Sequence, residues 1–222
     1  MNISIKNLKR SIFGLISITS IGLMGIASAA NAYTSSTANT ITVAVNPIIN
    51  ISDGNSGTTT LSAITPTGAG RMSSATDALS VTTNDVGGYT VTIQMAGASN
   101  NLVSGSNTLA PSAATTAVPA ALVVGSGTAA PTGAWGFCVP SASGNGTYTT
   151  TFVTCDGANS SVAMTAGKYA PVPIAGAPFT LFNTSSSSVG TYATTVTFAA
   201  AVNNGQASGT YTASVVFTAI AT

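Results

Sequence analysis

Residues 190–222 read GTYATTVTFAAAVNNGQASGTYTASVVFTAIAT, and this stretch decides the fold class. Tyr192, Thr194, Val196 and Phe198 recur at every second position, as do Tyr211, Ala213, Val215, Phe217 and Ala219. Alternation of period two marks strands with one buried face, and the Asn- and Gly-rich residues 203–209 between the runs suit a turn. The expected product is a terminal antiparallel hairpin. Such a hairpin is not stable alone in water, so the chain upstream must supply the sheet that covers its apolar face.

Working outward, residues 89–95 (YTVTIQM) repeat the pattern with Tyr89, Val91, Ile93 and Met95 on one face. They follow the turn-forming residues 84–88 (NDVGG), and a strand over 78–83 makes this a second expected hairpin. Residues 40–46 (TITVAVN) alternate Ile41, Val43 and Val45 with polar and small residues and are expected as the first strand, with Pro47 interrupting before 48–52. Further strands are expected at 58–64, 120–124, 137–139 and 147–154, residues 179–182 after Pro171, Pro173 and Pro178 suit an edge or crossing segment and not a central strand, and most of 96–132 reads as loops rich in Ala, Ser, Gly, Thr and Pro. The fold class expected is all-β, an antiparallel β-sandwich of immunoglobulin-like or jelly-roll-like type.

The first 32 residues belong to something else. Lys6, Lys9 and Arg10 precede an uncharged apolar run over 11–26, and Ala27-Ser28-Ala29 and Ala30-Asn31-Ala32 are overlapping cleavage signals. This is the pattern of a secretory signal peptide, giving residues 1–32 as leader and 33–222 as a single sandwich domain, with no membrane span after cleavage. The expected location is extracellular, at the cell surface or in the cell wall.

Composition excludes several function classes. The chain of 222 residues is 45% hydrophobic and 4% charged, with polarity supplied by Ser, Thr and Asn. Beyond the leader, Arg71 and Lys168 stand against Asp53, Asp77, Asp85 and Asp156, two cations against four carboxylates, a net −2. With no basic cluster there is nothing to neutralise phosphates, so nucleic acid is not an expected partner. The chain has no His and no Glu, which removes the commonest general base and the commonest metal ligand. No enzyme activity and no cofactor are expected. Asp53-Gly54-Asn55-Ser56-Gly57 has the look of an opening calcium loop, but the later ligands and the bidentate Glu are missing, so no metal is expected either.

The only Trp and both Cys fall within 133–157 (GAWGFCVPSASGNGTYTTTFVTCDG). In an exported chain two cysteines most simply make one bridge, Cys138 to Cys155, at the base of a third expected hairpin. Closing such a loop contributes about 3 kcal/mol. Trp135, Phe137 and Tyr148 read first as core around that bridge, with a sugar-stacking platform as the alternative. Lys168 reads as a solvated surface charge. An internal Lys–Asn cross-link would need it buried beside an Asn and a carboxylic acid.

Residues 80–103 (SVTTNDVGGYTVTIQMAGASNNLV) and 206–221 (QASGTYTASVVFTAIA) resemble the bacterial WxL cell-surface domain. Tyr89-Thr90-Val91 stands where that family's first motif falls, and Phe217-Thr218-Ala219 where its second W-x-L falls, both without the Trp. The terminal strands are also similar to the end of the spore coat protein U family, secreted proteins linked to pili and biofilm. The resemblance implies a secreted cell-surface protein; together with the missing acid–base side chains and the low-charge strand edges, the expectation is a non-catalytic structural or adhesive component, a fibre or surface-layer subunit whose partners are copies of itself joined through strand edges. The alternative it implies is a module binding carbohydrate or peptidoglycan, a cell-wall polymer.

Overall fold

A computed structural model describes residues 41–139, 147–148, 155, 162–163, 167–184 and 190–222. The chain divides after Ala44, and Val45–Thr222 is a compact unit that carries every strand of the described residues. The leader lies outside the described residues.

The unit is all-β, with no helix among the described residues. Its strands are β1 (Ile49–Asp53), β2 (Arg71–Thr83), β3 (Tyr89–Met95), β4 (Leu102–Ser104), β5 (Asn107–Pro111), β6 (Gly133–Cys138), β7 (Thr147–Tyr148), β8 (Phe179–Thr184), β9 (Gly190–Val202) and β10 (Val215–Ala221). Six form one sheet in the order β1-β2-β9-β6-β5-β4, and four form a second in the order β10-β3-β8-β7. All named pairings are antiparallel except β5 with β6. Ring contacts bridge the two sheets: Tyr89 on β3 meets Tyr192 on β9 at 5.7 Å, Phe137 on β6 meets Phe179 on β8 at 6.1 Å, and Phe198 on β9 meets Phe217 on β10 at 6.4 Å. Face-to-face aromatic contact of this kind is how a sandwich fills the space of roughly 10 Å between its layers.

The alternation predicts the buried faces well. Tyr89, Val91, Ile93 and Met95 are buried while Thr90, Thr92 and Gln94 between them are half-exposed. The expected pairing fails. β9 lies between β2 and β6, and β10 pairs with β3 in the other sheet, so the terminal strands form no hairpin with each other. β2 and β3 likewise belong to different sheets, and so do β6 and β7. Each expected hairpin is a crossing between layers. Twelve residues separate β9 from β10, and on the way Thr212 exchanges both backbone hydrogen bonds with Val103. The segment thus covers the far edge of the six-stranded sheet before entering the other layer. A two-residue hairpin does occur, at Gly105 and Ser106 between β4 and β5, inside a region expected to be loop.

Three expected strands are corrected. Residues 41–48 stand in no strand, and β1 begins only after them, at Ile49. Pro47 has no N–H to give a ladder, and Ile48 next to it donates its N–H to the Asn84 Oδ1 while its carbonyl accepts from the Asn84 N–H. Residues 58–64 are irregular, and β2 begins at Arg71, seven residues earlier than expected. Residues 120–124 make a single bridge, Ala120 to Tyr169. Only Thr147 and Tyr148 of the expected strand 147–154 are described, both as strand, and residues 149–154 lie outside the described residues.

Candidate functional site

Cys138 and Cys155 are bonded, with their Cα atoms 5.6 Å apart, as the count of two cysteines leads one to expect. Cys138 ends β6 in the six-stranded sheet and is fully buried. Trp135 and Phe137 on the same strand are buried as well, and the Trp135 indole N–H donates to the Asn100 carbonyl at 2.8 Å. Both rings are core, so the alternative of a solvent-facing sugar platform loses two of its three residues. β6 presents no outward face because Gly133 to Cys138 are buried throughout. Nothing is described of the Tyr148 side chain. Lys168 is exposed, which removes the buried amine that a Lys–Asn cross-link requires.

Among the described residues no group of three or more His, Cys, Asp or Glu side chains comes together. Asp85 caps its own turn, accepting from Gly87 N–H at 2.8 Å. Asp156 lies outside the described residues. Two carboxylates do meet, and the sequence reading did not pair them. Asp53 closes β1 and Asp77 lies in β2, where Asp53 is registered against Leu79, so the two Asp residues are diagonal neighbours on the inward face. Diagonal neighbours in an antiparallel pair are within reach of each other's side chains. Asp77 is 3% exposed, and its Oδ1 has no hydrogen-bond partner. Burial, followed by the hydrogen bond and the repulsion from Asp53, pushes its carboxyl up to about 6, while the Thr59 hydroxyl pulls the other way.

A second feature is apolar. Ile41, Val43 and Val45 are 84%, 77% and 79% exposed, and Ile48 follows at 68%. They precede β1, an outer strand of the six-stranded sheet, while β10 is an outer strand of the other. The inward residues of β10, Val215, Phe217 and Ala219, are only half-buried. β1 and β10 lie against each other at this margin of the sandwich.

The fold and these features define, among the described residues, an all-β sandwich with one disulfide, a carboxylate pair and an exposed apolar lead-in. Comparison with known proteins finds no match: no family model fits the sequence, and no curated protein or solved structure is significantly similar to it.

Proposed function

We propose that the chain is an exported, non-catalytic bacterial surface protein that assembles with copies of itself by strand addition into fibres or a surface layer. The observation carrying this reading is that residues 41–45 keep the alternation of a β-strand, lie in none, and hold their aliphatic side chains in water. An unpaired, uncharged segment of high β-propensity is a hazard to a free protein, since it seeks any open sheet edge. Laid along an outer strand of a neighbouring copy, the same segment satisfies its backbone groups and buries Ile41, Val43 and Val45. The outer strands β1 and β10, with half-buried inward residues, suit such an addition.

Export is supported by the leader pattern and by the disulfide, a bond that persists in oxidising compartments. No helix among the described residues is long and apolar enough to cross a membrane. The rival reading, binding of a cell-wall polymer, has lost Trp135 and Phe137 to the core.

The test is electron microscopy and sedimentation of the exported chain beside two variants that keep the leader: one lacking residues 33–46, and one carrying Val43→Lys. Fibres or sheets from the parent chain, absent in both variants, are the expected result. Equal assembly by all three, or none by the parent at any concentration, would overturn the proposal.

A further inference from the structure

We propose that the Asp53–Asp77 pair and the loop joining them form a calcium site, in which the bare Oδ1 of Asp77 and the Asp53 carboxylate are the anchoring ligands. This inference does not depend on self-assembly.

The argument begins with a buried charge. An isolated carboxylate inside a protein is expensive unless it is hydrogen-bonded, paired or bound to a metal. Asp77 is almost wholly buried, its Oδ1 meets no donor, and the nearest charged group is another carboxylate. Evenly spaced along the strands, Ile49, Ile51 and Asp53 of β1 and Thr83, Val81, Leu79 and Asp77 of β2 share the inward side. An apolar residue at position 77 would continue that layer without penalty. An Asp there, facing a second Asp, is a position organised around something positive.

No cationic side chain fills the role. Of the two outside the leader, Lys168 is exposed, and Arg71 starts β2 six residues from Asp77, opposite Val202. A small external cation fits instead, because the loop is preset to receive one. The Asp53 Oδ1 accepts from Asn55 N–H at 2.7 Å and its Oδ2 from Gly57 N–H at 3.0 Å, which fixes the carboxylate while each oxygen retains a lone pair. The Asn55 amide donates to the Thr76 carbonyl at 2.9 Å and to Thr59 Oγ1 at 3.2 Å, drawing the loop onto β2 beside Asp77. Ser56 and Gly57 both adopt positive φ, 56° and 81°, to close this turn. The Thr59 hydroxyl also reaches Asp77.

Every side-chain donor in the cluster is oxygen or amide, with no imidazole or thiolate, the set preferred by hard ions. Calcium tolerates irregular oxygen shells completed by water, whereas magnesium demands near-ideal octahedra. Residues 54 and 56–58 are exposed, so water and ion have a way in. Asp53-Gly54-Asn55-Ser56-Gly57 is the opening of a calcium loop that the sequence already suggests; the structure adds Thr59 beside it, and the missing later acid is supplied from across the ladder by Asp77. With two full charges and solvent access the site belongs with weak extracellular modules, whose dissociation constants are about 10⁻⁴ to 10⁻³ M.

The full chain, stripped of metal and titrated with calcium chloride alone, tests this by calorimetry and by thermal melting. Expected are one ion per chain, a midpoint that rises by several degrees at roughly ten times the dissociation constant, and a smaller response to magnesium chloride. Asp77→Asn, with an unchanged β-sheet circular dichroism spectrum, should lose affinity at least about tenfold. A parent chain with no saturable heat and no midpoint shift up to about 10 mM calcium, or Asp77→Asn binding as tightly as the parent, would overturn the site. Should Asp77→Asn fail to fold, the parent isotherm decides alone.

Discussion

Asn203 and Asp77 are both polar side chains inside the sandwich, and their surroundings could hardly differ more. Asn203 follows β9, is completely buried, and has every group engaged: its amide donates to the carbonyls of Gly125 at 2.7 Å and Ala129 at 2.9 Å, and its Oδ1 accepts from Gly205 N–H at 2.9 Å. Its backbone N–H donates to the Thr132 carbonyl at 2.9 Å. One residue, through its side chain and its backbone N–H, therefore ties residues 125–132 to the end of β9. Asp77 is buried almost as deeply but keeps one oxygen bare and a second carboxyl at its side. A saturated polar group in a core is architecture; an unsaturated charged one points to a ligand.

The comparison breaks most sharply at Asn203. Replacing it with the similarly sized leucine strips the carbonyls of Gly125 and Ala129 and the Gly205 N–H of their partners. A group stranded in the interior costs about 1–3 kcal/mol, but Ala129 and Gly205 are exposed and Gly125 half-buried, so water replaces part of what is lost. Asn203→Leu should lower unfolding free energy by about 2 kcal/mol, read from urea denaturation. A loss below about 1 kcal/mol would mean that the Asn203 bonds organise nothing.

The same measurement on Asp77 should carry the opposite sign. In ion-stripped buffer at pH 7, Asp77→Asn removes a desolvated charge and gives Asp53 a donor to face, so the variant should match or exceed the parent by about 1 kcal/mol. Saturating calcium should reverse the ranking, since only the parent has the second charge to bind with. If Asp77→Asn is destabilised to the same degree with and without calcium, the two buried polar groups are alike after all and Asp77 is structural.

How far these features could be read from residues alone follows from what alternation encodes. A period of two states which face of a strand is buried, and it placed Tyr89, Val91, Ile93, Met95, Val196 and Phe198 inside correctly. It says nothing of which strand lies alongside. The partner is set by whether the connection folds back or steps across to the facing layer, and the residues of 84–88 serve either course. Here Gly88, at φ 109°, packs against the Thr184 backbone, and Tyr89 N–H donates to the Thr184 hydroxyl at 2.9 Å, which commits the chain to enter beside β8. Those contacts come from 95 residues away. Asp77 was within reach of the sequence: continuing the inward series Val81, Leu79 one step back lands on it. A strand that starts at 78 leaves it outside, because Asp77 and Ala75 belong to types depleted in strands, which masks the preference of Thr76 between them. The pairing with Asp53 depends on the β1–β2 register, which the irregular residues between them do not announce.

The finest distinction between the two buried groups is their response to acid. Asp77 binds its proton up to about pH 6 in the folded chain, against an ordinary value of 3.8, because burial and then Asp53 oppose its charge. The folded state thus holds more protons than the unfolded one between those two values, and stability must fall as pH rises through that window. In ion-stripped buffer the parent should therefore gain stability on acidification from pH 6.5 towards 4.5, the reverse of a carboxylate held in a salt bridge. The groups facing Asp77 leave this sign intact, since Asp53 is the only other ionisable one in the cluster, Thr59 is neutral, and the registered neighbour on β9 is Val196. Asp77→Asn should flatten the profile, and Asn203, which does not titrate, should leave it unchanged when mildly perturbed as Asn203→Ser. Calcium should turn the slope over, because the ion competes with the proton for the same oxygens. A parent profile that already rises with pH in the absence of any divalent ion would show that the Asp53–Asp77 pair is ionised without one.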